Sequence, residues 1–584
     1  MGESWLFHSG TIFDGHTVLD PGSAVAVREG RILAVGPEAQ VRQALPDPGH
    51  DVSLEGRALS PGFTDAHVHT LMGGVESLAC DLTGAAGIDA TLATIASYSA
   101  SNTEDWITGG GWSMSDFPGG TPTVEVLDPI TGQTPAYLIN RDHHGAWVNT
   151  AALALAGITS ATPDPQDGRI ERDGQGNPTG TLHEGAMDLV NRFIPSRDAA
   201  TLRAGLLAGQ AYLHSFGITG WQEAILGTYA GYRDGSEIYR ALYDEGKVSG
   251  QAAGALWVPR ETTLADVPEL VEDFLARRQE NAAAGFRTTT AKIMVDGVAE
   301  NQTAAMLDPY LRTCACGPDA TGSTGLRYLA QEVLTAVAVA LDEAGFDLHV
   351  IGDGAARMGL DALEAARSAN GFTGGRHHLA HLQVIHPDDI ARFGALGLGI
   401  NAQALWACND DQMTELTTPF LGEERTGRQY PFRSLIDAGA HLAMGSDWPV
   451  STPNPFGAIH VAVNRTHPDY PGAEALVPRQ AITLLEAMRG YTQGSAWINR
   501  DAEGGSLLPG SRADIILLDP DPFAVDTPEL HAVGGGTHPR RRSRGLCPCR
   551  GTPLGPPVPR RNLPRPQAIC TQTPRSHLSC KETP

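Results

Sequence analysis

The sequence predicts an α/β protein: a (β/α)8 barrel of the TIM type joined to a small β-sandwich lobe. Three observations lead to this fold class. Short apolar strands alternate with helical segments over most of the chain, the first sixty residues form only short strands and turns, and two strand-like segments follow the last long helix. Such alternation is typical of a parallel sheet built from βα units, and 584 residues suffice for a large barrel with smaller lobes.

The two ends of the chain are predicted to share the lobe. Residues 1–60 carry apolar runs at 24–27 and 31–35, separated by turns that contain Gly and Asp, and residues 501–533 carry a strand-like run at 513–518. We therefore expect a composite β-sandwich whose N-terminal part is 1–60 and whose C-terminal part is 501–533.

The barrel is expected to span residues 61–500, with strands such as 291–295 and 347–351 followed by helices. Residues from about 72 to 200 fit this alternation poorly because they are rich in Gly, Pro, Asp and Thr. This stretch is predicted to be an insert after the first barrel strand that lies over the mouth of the barrel.

Residues 534–584 have a different composition from the rest. From Pro539 onward, nine Arg and one Lys face a single acid, Glu582, whereas the whole chain has a formal charge of −25. Arg/Pro-rich sequence cannot bury enough apolar surface to fold independently, so a disordered tail is expected. Two origins are open: a functional basic tail, or a reading-frame slip in a GC-rich coding sequence that replaced the last strand of the lobe. We favour the slip.

Charge and hydropathy exclude several classes of partner. A net charge of −25 argues against nucleic-acid binding, which needs Lys and Arg to neutralise phosphates. No run approaches the roughly 18 apolar residues of a membrane helix, and residues 1–15 lack the features of a secretory signal. We expect a soluble, cytoplasmic protein with a small-molecule substrate and with neither a nucleic-acid nor a membrane partner; a homo-oligomer stays open.

The first chemical motif is a pair of histidines at the end of an apolar strand. His67 and His69 close the run 61–69, and side chains two positions apart on a strand point the same way. A lone His-x-His is weak evidence for a metal site. Its position strengthens it, because active sites of TIM barrels lie at the carboxyl ends of the strands.

Four further polar residues end apolar strands along the chain: Lys292, His349, His381 and Asp447. Singly, each has a structural explanation, such as a core histidine or a helix N-cap. Together with the histidine pair they supply nitrogen and oxygen ligands in a ring, which suits one or two divalent ions such as zinc. A buried Lys292 is costly as an ammonium ion, and carbamylation would make it an anionic ligand.

Longer motifs accompany these residues. They are 12–15 (IFDG), 141–149 (RDHHGAWVN), 177–184 (NPTGTLHE), 292–301 (KIMVDGVAEN), 303–307 (TAAML), 349–353 (HVIGD), 445–449 (GSDWP) and 508–514 (LPGSRAD). With the ligand set, they make the chain resemble the amidohydrolase superfamily, and within it the family 3 branch that includes N-substituted formamide deformylase. The likeness extends to about residue 530. Two residues depart from the branch: His143 stands where Gly is common, and Ala380 where an acid often precedes the ligand histidine.

The resemblance implies a metal-dependent hydrolase acting on a carbon–nitrogen bond, other than a peptide bond, of a small organic amide or N-substituted formamide. One ion would be held by His67, His69, carbamylated Lys292 and Asp447, and a second by Lys292, His349 and His381. A mononuclear site stays open. Asp447 would accept the proton of a metal-activated water, and His144 would be a neutral hydrogen-bond donor to the substrate carbonyl.

Substrate contacts are expected from the barrel loops and the insert. The candidates are Trp112, Trp147, Glu300 and Gln403, with Gln222 and Trp406 also available, and each is equally well an ordinary core or loop residue. Two alternatives to amide hydrolysis stay open. One is another amidohydrolase reaction, such as opening of a cyclic amide, deamination, or hydrolysis of an ester or carbamate. The other is a non-catalytic scaffold with the same fold, against which the complete ligand set argues.

Overall fold

The computed structural model describes residues 3–165, 167–229, 231–314, 317–320, 322–351, 354–469, 472–534 and 567–569. For 312–314, 317–320, 349–351 and 567–569 it describes the backbone only. No helix within these ranges is both long and apolar enough to cross a membrane.

The chain begins with a lobe of short strands whose apolar residues lie on the buried faces. Its elements are β1 (Ser4–His8), β2 (Thr11–Ile12), β3 (Ser23–Arg28), β4 (Arg31–Pro37), α1 (Glu38–Ala44), β5 (His50–Ser53) and β6 (Ala58–Pro61). Strands β4, β3, β1 and β5 form one sheet in that order. Among the described strands of this sheet, β1 and β5 pair in parallel, and the other neighbouring strands pair antiparallel.

The first strand of the central sheet and the insert follow. The central strand is β7 (Phe63–Val68), and the helix α2 (Thr70–Glu76) begins directly after it. The insert contains β8 (Cys80–Asp81), α3 (Gly87–Ser101), β9 (Ile107–Trp112), α4 (Val124–Thr131), β10 (Ala136–Asn140), β11 (Gly145–Val148), α5 (Thr150–Ala156), β12 (Gly168–Arg172), β13 (Pro178–Glu184) and α6 (Asp188–Asn191). Its strands pair in the order β12-β13-β11-β10-β9-β8. The insert therefore has a sheet of its own.

Beyond the insert, strands and helices alternate as the sequence predicts. The elements are α7 (Ala199–His214), β14 (Ile218–Leu226), α8 (Ser236–Asp244), β15 (Gln251–Trp257), α9 (Val267–Ala284), β16 (Arg287–Met294), β17 (Leu311–Cys314), β18 (Gly317–Ala320), α10 (Gln331–Glu343), β19 (Asp347–Ile351), α11 (Gly354–Asn370), β20 (His378–Ala380), α12 (Pro387–Leu396), β21 (Gly399–Ala402), α13 (Thr418–Thr426), α14 (Phe432–Asp437), β22 (His441–Met444), α15 (Pro455–Asn464), α16 (Leu484–Arg489) and α17 (Ser495–Ile498). Strands β17 and β18 form a separate antiparallel hairpin.

Within the described part of the chain, eight parallel strands form one sheet in chain order, β7-β14-β15-β16-β19-β20-β21-β22. The carboxyl ends of its first and last strands are joined by two backbone hydrogen bonds. The Asp447 amide donates to the His67 carbonyl and the His69 amide donates to the Trp448 carbonyl, both at 2.8 Å. The segments that carry His67, His69 and Asp447 are thereby fixed to one another before any side-chain contact is considered.

The chain ends return to the lobe. Strand β23 (Ile515–Leu518) pairs antiparallel with β6, and β24 (Gln567–Ile569) pairs antiparallel with β23, completing a sheet of order β2-β6-β23-β24. Trp5 and Phe7 of one sheet and Ile515 and Leu517 of the other belong to one buried cluster. Residues 567–569 lie in the tail that the sequence predicted to be disordered; the free edge of β23 offers them unpaired backbone groups. Residues 535–566 and 570–584 lie outside the described part.

Candidate metal centre

Polar side chains from four strand ends meet at the carboxyl edge of the central sheet. Asp447 follows β22 in the left-handed region (φ 56°). Its Oδ1 lies 3.2 Å from His67 Nε2 and 3.1 Å from His69 Nε2, and its Oδ2 lies 4.0 Å from His381 Nε2. The ligand atoms of His67, His381 and Asp447 all lie within 4.8 Å of one another. His67 is more than three hundred positions from the other two residues in sequence, and the fold gives all three one common centre.

Lys292 joins this group from β16. Its side chain is buried, and Nζ lies 3.3 Å from His67 Nε2. Burial lowers the pKa of Lys292 to about 7, so a large share of the amine is neutral near pH 7. His349 is aligned with Lys292 on the neighbouring strand β19. Its side chain lies outside the described part, so its predicted ligand role stays a prediction.

The protonation states of the cluster suit a cation. Burial lowers the pKa of His67 well below its ordinary value and that of His381 to about 4, so both imidazoles are neutral. Burial alone would raise the pKa of Asp447, but the adjacent His67 and His69 hold it well below its ordinary value. The buried Oδ1 of Asp447 accepts no hydrogen bond in good geometry despite its two imidazole neighbours. Neutral imidazole nitrogens and a carboxylate oxygen that converge on one point fit a bound divalent ion.

A buried frame of hydrogen bonds holds the cluster. Asp65 Oδ1 accepts from the amides of His67 (3.1 Å) and Ser446 (3.0 Å), which links the two ends of the sheet. Gln403 Oε1 accepts from the His381 amide at 2.9 Å, and Gln403 Nε2 donates to Asn401 Oδ1 at 3.0 Å. Asp65 was missed from sequence, although it stands two positions before His67. Gln403, predicted to touch substrate, uses its amide oxygen to hold the His381 backbone and its amide nitrogen to hold Asn401.

The insert brings His144 towards the centre. His144 Nδ1 lies 2.8 Å from Glu184 Oε1, the same oxygen that accepts from Thr303 Oγ1 at 2.9 Å. Burial alone would lower the pKa of His144, but the Glu184 carboxylate raises it. The pKa of Glu184, which burial would raise, is held at about 2 chiefly by His144 and then by Arg260. The sequence predicted His144 as a neutral donor; the pairing with Glu184 favours the imidazolium form instead, which is a stronger donor.

Comparison with known proteins decides the family. The protein-family model described as "Amidohydrolase family" matches residues 52–552 of the sequence. The chain belongs to the amidohydrolase family. A second model, for an imidazolonepropionase-like composite domain of bacteria, matches residues 24–47, within the lobe. Family membership indicates a hydrolase, and the cluster of His67, His381 and Asp447 gives it a candidate site for a divalent metal.

Two curated relatives of this amidohydrolase align over most of their own length. Protein LONG AFTER FAR-RED 3 of Arabidopsis thaliana is 30% identical over 537 residues, which cover 89% of this chain and 88% of the relative. N-substituted formamide deformylase of Arthrobacter pascens is 28% identical over 523 residues, covering 87% and 92%. A solved uncharacterized metal-dependent hydrolase from Pyrococcus horikoshii has a TM-score of 0.67 at 22% identity, covering 90% of this chain and 99% of that one. The solved structure shares the fold of this amidohydrolase.

Two of the predicted substrate-binding residues pack inside the insert of this amidohydrolase. Trp112 and Trp147 are fully buried in one cluster with Phe117. The Trp112 indole donates to the Leu138 carbonyl at 2.8 Å and the Trp147 indole to the Thr123 carbonyl at 3.0 Å. Both side chains are satisfied within the insert, so we assign them a structural role.

Glu300 and Trp406 lie nearer the centre. Glu300 is half-buried, its Oε1 lies 3.4 Å from Thr417 Oγ1, and burial raises its pKa to about 7. The Trp406 ring stacks on His381, with ring centroids 5.2 Å apart and planes 16° apart. Trp406 therefore remains available to contact a substrate beside the cluster, and a contact of Glu300 with substrate stays a prediction.

A cleft with about 780 Å³ of empty volume, open to solvent, separates the insert from the sheet edge. Insert residues such as Glu184 and Asp188 line one wall, and Trp257 at the end of β15 and Arg260 beyond it line the other. Tyr229 also lines a smaller pocket, whose lining includes His69.

A buried ion pair ties the insert to the helix that follows the histidine pair. His143 Nε2 lies 3.0 Å from Glu76 Oε2, and Tyr232 donates to Glu76 Oε1 at 3.1 Å. His143 adopts φ 64°, the left-handed region that favours glycine, which agrees with the glycine common at this position in the branch. The ion pair offsets the backbone strain of a non-glycine residue and fixes the segment that carries His144.

We expect Glu76→Gln to destabilise this amidohydrolase most at mildly acidic pH. Burial alone would raise the pKa of Glu76, but His143 lowers it below its ordinary 4.5. The stability that the Glu76 carboxylate contributes is therefore present above pH 4.5 and is lost on acidification. Burial alone would lower the pKa of His143, but Glu76 raises it above 6.5, so its contribution exists below pH 6.5 and fades as the pH rises. The ion pair therefore contributes most to stability between about pH 4.5 and 6.5.

Urea unfolding followed by tryptophan fluorescence measures this effect. Glu76→Gln is expected to cost about 3 kcal/mol at pH 5.5, because removing one partner leaves a buried charge uncompensated, and less at pH 8.5. Glu245→Gln, which removes the partner of Arg203 in a surface ion pair, is the control and should change little. An equal cost of Glu76→Gln at both pH values would contradict the ionic interpretation.

Proposed function

We propose that this amidohydrolase uses a divalent metal to hydrolyse the carbon–nitrogen bond of a small organic amide or N-substituted formamide. The observation that carries the proposal is the convergence of His67, His69, Lys292, His381 and Asp447 at one edge of the central sheet. We interpret that sheet as a closed (β/α)8 barrel, whose carboxyl edge is where such barrels place their chemistry. The curated N-substituted formamide deformylase supports the substrate class.

The donor set favours zinc, because imidazole nitrogens and a carboxylate oxygen are ligands that zinc accepts. Lys292 is proposed to be carbamylated: its neutral amine attacks carbon dioxide, a nitrogen–carbon bond forms, and one proton is released. The carbamate with His349 and His381 would then complete a second site. A bound ion would supply Lewis-acid activation of water and of the substrate carbonyl.

Two side chains of the protein are proposed to move or hold protons. Asp447, ionised at neutral pH, accepts the proton of the attacking water and returns it to the leaving nitrogen. His144, kept protonated by Glu184, donates a hydrogen bond to the carbonyl oxygen as negative charge develops there. Gln403 and Asp65 act through other residues: their hydrogen bonds orient His381 and His67.

We expect Glu184→Gln to lower kcat/KM by about 100-fold at pH 8, with a smaller loss at pH 6, as is typical of a lost proton donor. The substitution keeps a hydrogen-bonding group but removes the charge that raises the pKa of His144, so activity should decline at lower pH than in the wild type. Glu171→Gln is a matched control, because Glu171 Oε1 lies 3.1 Å from His183 Nε2 inside the insert. Superimposable pH profiles for the wild type and Glu184→Gln would refute the role of His144.

A panel of substrates with metal analysis tests the proposed function as a whole. The zinc-loaded protein should hydrolyse N-formyl amines or simple amides. Turnover of aminopurines alone would replace the proposal with deamination, and turnover of cyclic amides alone would replace it with ring opening. Less than about one metal per chain after native purification, with no hydrolysis on addition of zinc, would instead favour a non-catalytic scaffold.

A further inference from the structure

Arg260 stands on the wall of the large cleft, three positions beyond the end of β15. Its side chain is 14% exposed. The guanidinium carbon lies 3.8 Å from the ring centroid of Tyr328 and 5.6 Å from that of Tyr229. Aromatic faces hold a guanidinium in place without using its N–H groups. No motif in the sequence pointed to this residue.

The hydrogen-bond donors of Arg260 are largely unused. A guanidinium carries five N–H donors. Among the described residues, Arg260 makes one hydrogen bond, from Nη2 to the weak acceptor Met294 Sδ at 2.8 Å, and its buried Nε has no partner. Its nearest carboxylate oxygen, Glu184 Oε2, lies 3.8 Å away, beyond hydrogen-bonding distance. Burying the N–H donors of a charged group without hydrogen bonds costs free energy. This cost points to an acceptor supplied from the cleft.

We propose that Arg260 binds the carboxylate of the substrate. The inference rests on the proposed function and refines its substrate class to N-acyl or N-formyl compounds that carry a carboxylate. A carboxylate matches the fork of a guanidinium with two parallel hydrogen bonds. Glu184 does not fill this place, because its nearest oxygen, Oε2, lies 3.8 Å from Arg260 Nη2 and makes no hydrogen bond with it.

The site is within reach of the metal centre. The Val258 amide donates to the Lys292 carbonyl at 3.0 Å, and Arg260 contacts Met294, two positions beyond Lys292 on the same strand. Across the cleft, Arg260 approaches the Glu184 carboxylate that holds His144. A small ligand whose carboxylate lies on Arg260 therefore extends its amide towards Lys292 and His144.

The other charges of the cleft limit a ligand to one negative group, the one that Arg260 would bind. Asp167, Asp188 and Glu261 line the same cleft. Burial raises the pKa of Asp188, Asn191 and Arg260 lower it, and Asp167 and Glu261 raise it, so the acidic residues of the cleft disfavour negative charge while Arg260 favours it. A second negative group on the ligand would add to this repulsion, so dicarboxylates are expected to be poor ligands.

A pair of substrates that differ only in the carboxylate tests the inference. For the zinc-loaded wild type we expect a higher kcat/KM with N-formylphenylalanine than with N-formylphenethylamine. Arg260→Met should lower kcat/KM by about 100-fold or more for the acid and by less than about threefold for the neutral compound, as for loss of a charged hydrogen-bonding partner. Arg260→Lys keeps the charge but not the fork and should be intermediate. Equal losses for both compounds, or no preference in the wild type, would overturn the proposal.

Binding of a probe that cannot be hydrolysed separates this inference from the proposed function. Calorimetry with 3-phenylpropionate and the neutral alcohol 3-phenylpropan-1-ol, neither of which has a bond that the enzyme could hydrolyse, should show tighter binding of the carboxylate to the wild type, and loss of that difference in Arg260→Met. Arg278→Met is the matched control, because Arg278 lies 4.4 Å from the ring centroid of Phe346 and does not line the cleft. If the carboxylate binds in a way that depends on Arg260 but no amide is hydrolysed, the proposed function is wrong and this inference stands. If neutral formamides are hydrolysed but the carboxylate does not bind through Arg260, this inference is wrong and the proposed function stands.

Discussion

Asp447→Asn is expected to reduce hydrolysis by about 10³-fold or more while the fold is retained. The asparagine keeps the shape of the side chain but can neither accept the proton of the attacking water nor offer an anionic oxygen to a cation. The backbone bond from the amide of residue 447 to the His67 carbonyl does not depend on the side chain. The thermal unfolding midpoint should therefore change much less than kcat/KM.

The measurement compares kcat/KM, circular dichroism and zinc content for the wild type and Asp447→Asn. Asp437→Asn is the control, because Asp437 is an exposed partner of Arg433 at the end of α14, just before β22. Retention of wild-type turnover by Asp447→Asn would refute its proton-transfer role. An equal fall in Asp437→Asn would trace the loss to the fold of this segment.

Lys292→Ala is expected to have the second large effect, a loss of about 10³-fold in kcat/KM together with weaker metal binding. If carbamylated Lys292 supplies a carboxylate, acetate or propionate should restore part of the activity by occupying the space left by the side chain. Ethylamine should not. Metal-free wild-type protein prepared without carbon dioxide should also need bicarbonate as well as zinc to regain activity.

Lys247→Ala provides the control, since Lys247 is a surface residue paired with Glu245. Rescue of Lys292→Ala by ethylamine but not by acetate would show that the amine acts directly, and carbamylation would then be rejected. Full activity of Lys292→Ala without additives would remove Lys292 from the metal centre altogether.

The residues at strand ends were predictable because two simple rules apply to them. Side chains two apart on a strand share a face, and parallel strands of such a sheet end at one edge. His67, His69, Lys292, His381 and Asp447 follow from these rules and meet in the structure. His349 is aligned with Lys292 in the backbone, as the same rules require.

The surroundings of the cluster were less predictable, because they depend on how the insert packs on the sheet edge. The contacts of Arg260 with Glu184, and of His143 with Glu76, join segments 76 and 67 positions apart in the chain. No periodicity encodes such contacts. Trp112 and Trp147 show the converse: an aromatic residue near a motif histidine has the same local sequence whether it lines a pocket or fills a core, and here it fills the core.

Anomalous diffraction at the zinc absorption edge, from crystals grown with zinc, tests the central claim most directly. The account predicts a peak about 2.0–2.2 Å from ligand atoms of His67, His69 and Asp447, which His67→Ala abolishes. Zinc bound only elsewhere on the wild-type molecule, with these side chains unmoved, would contradict it.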